Sequence, residues 1–306
     1  MHVLSQVLFA LILFSCNKAS NDSPLLTDDT DFTADILISE VLVNPKKDGA
    51  EFIELYNCSD KVIDLARYTI ASTNSKGITG TPRTISASTL YIYPGTYKLL
   101  SKNPPAVVAH YPATESIETI SVEDFPQLTN SEGAVLLLKG EEIIDSLHYM
   151  EKMHDALIRN LQGVSLERVN FKRATNSPEN FISASATTGY ASPGYQNSQR
   201  DNSQAKGPVV QLSKRMLHIT KNETISVQFN LPVGGKMTNI TVFSSAGAKV
   251  RELVQNHRLG TLDQISWDGQ AADRRKLPAG SYYIHIELYD SSGSLQQFKE
   301  LCFLST

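Results

Sequence analysis

The sequence predicts an all-β protein of two β-sandwich modules in tandem, carried behind an export segment and a flexible tether. Three observations predict it. Short runs rich in Val, Ile, Leu, Tyr and Phe recur along the chain, each closed by Asn, Asp, Gly, Pro or Ser, as strands are closed by turns. In the clearest runs apolar residues alternate with polar ones at a period of two, and no stretch sustains the 3.6 period of an amphipathic helix. Residues 199–208 (QRDNSQAKGP) are polar, end in Gly-Pro and read as a linker, dividing the 306 residues into two modules that can each bury a core.

Residues 3–14 (VLSQVLFALILF) are apolar, too few to span a bilayer as a mature helix but matched to the core of a signal peptide. The run ends in Leu13-Phe14-Ser15-Cys16, which resembles the bacterial lipobox, although the opening MHVLSQ lacks the usual Lys or Arg. The resemblance implies a signal peptide over 1–15, lipid on Cys16 and a protein anchored to a membrane without crossing it. Each buried methylene of such lipid contributes about 0.8 kcal/mol, so two or more chains hold durably. Residues 16–35 are rich in Ser, Asn, Asp and Thr and are expected to form the tether. Asp28, Asp29 and Asp31 resemble the acidic stretch that follows the cysteine in Bacteroidetes surface lipoproteins.

The first module is expected over 36–198. ILISEVLVNP (36–45), EFIELYNCSD (51–60) and KVIDLARYTIAS (61–72) read as strands, as do YKLLS (97–101), AVLLLK (134–139), IIDSLHY (143–149) and VSLERV (164–169). In the second run Ile53 and Leu55 share one face while Phe52, Glu54 and Tyr56 share the other, so one face is expected to meet a core. ISEVLVNP, EFIELYN, DLARYTI, GVSLERV, SPENFISA and TTGYASPGYQNS resemble, in order, the blocks of the lamin tail domain. That resemblance implies an immunoglobulin-like sandwich of the kind that accompanies other extracellular modules. Residues 77–126, rich in Pro, Ser and Thr, match none of these blocks and read as an insertion loop.

The second module is expected over 209–306. In TISVQFNL (224–231) Ile225, Val227, Phe229 and Leu231 alternate with polar residues, and NITVFSSAGAKVREL (239–253) places Gly247 in a hairpin turn. ITVFSSAGAKV, SWDG and LPAGSYYI resemble the immunoglobulin-like domain of the flagellar hook-capping protein, with Trp267 expected in the core and Asp268-Gly269 turning the chain. Relatives often carry an acidic, calcium-like loop before the first strand. QLSKRMLHITKNE lacks those acids, so no calcium is expected.

Candidate chemistry is sparse. No nucleophile elbow, phosphate loop or dinucleotide glycine pattern is present, and the sequence suggests no cofactor. His148, His154 and Asp155 fit no metal-ligand spacing, and Glu40, Glu51 and Glu54 read as exposed strand carboxylates rather than an acid–base pair. Cys58 and Cys302 are expected as buried free thiols. Tyr91, Tyr93, Tyr97 and Tyr111 read equally as core residues or as a recognition surface, since tyrosine brings contact area with little entropy cost. A net charge of −4 gives phosphate little to meet, which argues against nucleic acid. The expectation is a non-enzymatic, surface-exposed outer-membrane lipoprotein serving adhesion, scaffolding or binding, with a protein or glycan partner. The alternatives are an accessory binder of carbohydrate or nucleic acid for a secreted hydrolase, and a hydrolase using the 77–126 loop or the His148–Asp155 segment.

Overall fold

The computed structural model describes residues 34–111 and 118–306; Cys16, the signal segment and nearly all of the tether lie outside them. The first module contains β1 (Ile36–Leu42), β2 (Phe52–Asn57), β3 (Ile63–Asp64), β4 (Thr69–Thr73), β5 (Arg83–Thr84), β6 (Tyr91–Ile92), β7 (Tyr97–Ser101), helix α1 (Pro104–His110), β8 (Thr119–Ser121), β9 (Glu132–Lys139), β10 (Glu142–Met150), β11 (Leu166–Arg168) and β12 (Phe181–Ser183). A sheet in the order β12-β11-β1-β2-β7-β8 faces a sheet in the order β10-β9-β4-β5, with β3 and β6 forming a separate ribbon. Ile36, Ile38, Ile53, Leu55 and Phe181 from the first sheet meet Ile70, Val135, Leu137, Leu147 and Tyr149 from the second in one apolar core.

Both faces of the larger sheet are covered, where one was expected. Phe52 and Leu99, on its outer face, pack with Leu42, Val107, Tyr111 and Ala191 in a second apolar cluster, to which α1 contributes Val107. The helix is short and local in origin. Asn103 caps it by accepting from the Ala106 amide, and Pro104 and Pro105 supply helical φ where no amide is needed. Residues 77–126 are therefore not simply an insertion loop, because β5 to β8 and α1 come from them.

The second module contains β13 (Val210–Leu212), β14 (Met216–His218), β15 (Ile225–Asn230), β16 (Met237–Ser244), β17 (Lys249–Arg258), β18 (Leu262–Trp267), β19 (Gly280–Tyr289) and β20 (Leu295–Ser305). Its sheets run β13-β15-β18 and β14-β20-β19-β16-β17. Between them lie Ile225, Val227, Phe229 and Trp267 on one side and Ile240, Val242, Ile284, Ile286, Cys302 and Leu304 on the other. The alternation read in TISVQFNL buries its apolar half, and Gly247 turns the β16–β17 hairpin at φ 81°. Trp267 is enclosed with its indole N–H donating to the Gln270 carbonyl at 3.0 Å, and the Asp268 carboxylate accepts the Gln270 amide to fix the turn.

The described residues, 34–111 and 118–306, fall in one compact unit, so the two sandwiches are packed against each other. The segment read as a linker begins inside that junction. Gln199 is fully buried and Arg200 half-buried. Gly234 and Gly260 permit the close approach: a Cβ at Gly260 would lie 2.7 Å from the Ser198 carbonyl oxygen, and one at Gly234 would lie 2.3 Å from Gln199 Oε1.

Candidate functional site

Three glutamates stand side by side on the outer face of the larger sheet of the first module. Glu40 of β1 is in register with Glu167 of β11 and with Glu54 of β2, and all three are fully buried. Strict alternation from Ile36 and Ile38 would send Glu40 into the apolar core. A β-bulge between Ile38 and Glu40 shifts the pairing and re-aims the carboxyl outward, beside the other two. The expectation of exposed strand carboxylates is thus corrected for Glu40 and Glu54, because residues 184–200 fold over this face.

That covering segment supplies all but one of the hydrogen bonds, the exception being that from Ser165. Glu40 accepts from the Ser165 hydroxyl (2.5 Å) and the Ser192 amide (2.9 Å), and Glu167 from the Ser192 and Ser198 hydroxyls (2.5 and 2.7 Å) and the Gln199 amide (2.9 Å). Glu54 accepts from the Gly194 amide, while its second oxygen, buried, meets no partner. Burial first, and the neighbouring Glu167 second, push Glu40 up to about 8, and burial with Glu40 alongside pushes Glu54 well up too. Burial also raises Glu167. A carboxyl so buried beside another, with no cation paired to it, holds its proton past the usual carboxylate range, as Glu40 does. Sealed from solvent, they are not placed to meet a substrate; they fasten the covering segment.

The same segment fastens the second module. Gln199 donates from Nε2 to the Leu259 carbonyl (2.9 Å) and accepts from the Gly235 amide (3.0 Å). Arg258, buried, pairs with Asp155 at 2.5 Å and donates to the Ser183 carbonyl, and Thr261 donates its amide to Ser198. His154, one of the weighed metal candidates, lies here as well. Its Nδ1 is 3.0 Å from the Ser183 hydroxyl, and burial, then Arg258, depress it to about 4, while His148 is exposed elsewhere. The Gln199→Ala variant is expected to lose about 2 kcal/mol, because a buried carbonyl and amide then lack partners. Urea denaturation and amide exchange at Gly235 check it; unchanged values for both would overturn the role.

Beside the junction opens a cleft of about 610 Å³, lined by residues that include Tyr56, Cys58, Phe171, Lys172, Arg200 and Asp201. Tyr56 projects from β2 between two rings, Tyr97 and Phe171, each 4.6 Å away between centroids. The Arg200 guanidinium lies over Tyr56 (5.7 Å) and Phe171 (5.4 Å), and its Nη1 is 3.4 Å from the Tyr97 hydroxyl. Such a planar cation is held by ring faces while its remaining N–H groups stay available. Arg168 lies 5.7 Å from the Phe171 centroid, paired with Asp145, and its Nη1, buried, has no hydrogen-bond partner.

The four tyrosines singled out from sequence do not form one surface. Tyr91 and Tyr93 are exposed, Tyr97 joins the Tyr56–Arg200 stack, and Tyr111 is buried against Phe52 with its hydroxyl donating to the Gly163 carbonyl at 2.7 Å. Cys58, expected buried, is exposed on the cleft wall just past the end of β2, its thiol 2.9 Å from the Ala34 carbonyl; Cys302 is buried as expected, and burial raises it to about 11. Tyr56, Phe171 and Arg200 were not singled out. They are separated by 115 and 29 positions (171 − 56, 200 − 171), so no local spacing joins them. Among the described residues no three His, Cys, Asp or Glu side chains gather as a metal site.

No curated protein matches the chain. Among solved structures it is similar to FLGD from Pseudomonas aeruginosa, at 17% identity over 31% of this chain and 72% of that one, with a TM-score of 0.25. It is also similar to two Porphyromonas gingivalis proteins at 11% identity. Dimeric latent PorU matches over 91% of this chain (TM-score 0.27), and PorZ, a bacterial surface component of the type-IX secretion system, over 87% (TM-score 0.28). The chain spans 21% and 30% of those two proteins. None of these likenesses decides what this chain does. The family model described as Lamin Tail Domain matches residues 30–151, which take in β1 to β10, so most of the first sandwich is similar to a lamin tail domain.

Proposed function

We propose that this chain is a non-catalytic binding and scaffold module displayed on a bacterial cell surface, anchored by lipid on Cys16 in the manner of Bacteroidetes lipoproteins. The observation that carries the reading is the junction. Gln199, Arg258 and Thr261 lock two sandwiches into one body, and the cleft opens beside that junction, on side chains of the first module and of the segment that leads into the second. A stiff body on a tether suits the presentation of a surface at a distance from a membrane. The buried glutamates serve this rigidity, and the histidine–aspartate segment is spent on the same junction.

The test is intact mass and cell fractionation in a Bacteroidetes host, comparing wild type with Cys16→Ala, with protease added to whole cells. Wild type is expected to carry acyl mass and to be shaved from intact cells, with the variant released in soluble form. An unacylated wild type that fractionates like the variant would overturn the anchor and leave a secreted role. A second reading, an accessory carbohydrate binder, is favoured by the aromatic and arginine wall of the cleft.

A further inference from the structure

We propose that the cleft beside Arg200 binds a saccharide that carries a carboxylate, a sugar acid within a glycan; this rests on the binding-module reading above. The first ground is an imbalance of spent and unspent groups on the wall. Of its two acids, Asp35 pairs with Lys61, and Asp201 accepts from the Asn170 amide group at 2.7 Å and from the Ser203 backbone at 2.8 Å. Of its two cations, neither Arg200 nor Lys172 has a carboxylate within 4 Å among the described residues. The unspent donors therefore favour an anion, and a guanidinium already oriented by two rings loses little freedom in taking up a carboxylate through two parallel N–H bonds.

The second ground is the buried Arg168 behind Phe171. Its guanidinium, with Nη1 unpartnered, stands 5.7 Å from the Phe171 centroid that Arg200 approaches at 5.4 Å, so two cations lie close to this one ring of the wall. The third ground is the shape of the wall. A volume of about 610 Å³ lies within the range of roughly 300–1,000 Å³ that small ligands fill, and Tyr56 and Phe171, half-buried with their ring faces held by Tyr97, Arg200 and each other, line it with apolar ring edge that suits the C–H groups of a pyranose. An extended peptide would look for an open strand edge. Here Tyr56 lies in β2, which is paired on both sides, with β1 and β7, so no such edge is offered.

The experiment is calorimetric titration of the full chain with oligogalacturonate, with a neutral glucan oligomer of equal length, and with an Asp/Glu-rich peptide. Oligogalacturonate is expected to bind, the neutral oligomer not, and the affinity to fall as salt rises. Arg200→Ala is expected to weaken binding tenfold or more, Lys172→Ala by less, and Arg200→Lys to restore part of the loss, with melting temperature followed in each so that misfolding is seen. Equal binding in Arg200→Ala, or preference for the neutral oligomer, overturns the proposal. Binding of the acidic peptide alone, lost in Arg200→Ala, overturns the saccharide while leaving the binding-module reading standing. No binding by any probe, with wild type folded, overturns the cleft as a site.

Discussion

Between pH 6.5 and 8 the folded protein is expected to lose about 2 kcal/mol of stability for each proton that the Glu40–Glu54–Glu167 row retains across that window. In the unfolded chain these carboxyls ionise near 4.5, whereas Glu40 in the fold holds its proton up to about 8 and Glu54 is raised as well. The native state thus binds more protons than the unfolded one throughout this window, and stability falls as pH rises. The contribution is fully present below about 4.5 and is gone above the folded value. His154 works in the opposite sense, since its depression to about 4 stabilises the fold above 6.5 and is lost on acidification. It acts only at the lower edge of the chosen window, where the unfolded imidazole is still partly protonated, while Glu51, raised by burial to about 7, adds to the fall. Urea midpoints at the two pH values check the expectation, and Glu40→Gln, which keeps the acceptor for Ser165 and Ser192 without a proton to lose, is expected to flatten the dependence. A midpoint that does not move in wild type would show that the row carries no stored protons.

Asp145→Ala is expected to destabilise the first module by about 3–5 kcal/mol, the cost of leaving a buried charge without its partner. Arg168 and Asp145 are both buried and 2.7 Å apart. Asp145 also accepts the Ile38 amide at 2.8 Å and the Thr175 hydroxyl, while Arg168 Nε donates to the Ile38 carbonyl at 2.7 Å and the guanidinium stands 5.1 Å from the Phe181 ring centroid. The pair therefore clamps β1 to both sheets at the bulge. Replacing both partners together, Asp145→Leu with Arg168→Met, is expected to cost less than Asp145→Ala, because no orphan charge remains. Denaturation of the single and double variants decides it, and a single-variant loss below about 1 kcal/mol would place the pair in effectively wet surroundings.

Strand identity was legible because period-two alternation is a local property. Ile225, Val227, Phe229 and Leu231 announce their buried face without reference to any other segment. The tyrosines show the limit of such reading. Tyr97 and Tyr111 sit 14 positions apart (111 − 97) in one Pro-rich region and look alike, yet one joins an arginine stack beside a cleft and the other fills a core. Cys58 misled for a related reason: the strand ends at Asn57, whose side chain turns inward to the Lys61 and Ile92 carbonyls and leaves the next residue facing out.

The sequence by itself determined the all-β class, the position of most strands, the hairpin at Gly247, the core place of Trp267 and the division into two modules, all of which follow from side-chain periodicity and turn chemistry within about a dozen residues. Only the tertiary structure decided that both faces of the larger sheet of the first module are covered, that a single bulge carries Glu40 away from the core, and that Gln199 and Arg258 join the modules into one body. The cleft belongs to the same class of facts. Tyr56, Phe171 and Arg200 meet because strand order and a returning segment bring distant positions together, and such proximity leaves no trace in the spacing of the residues along the chain.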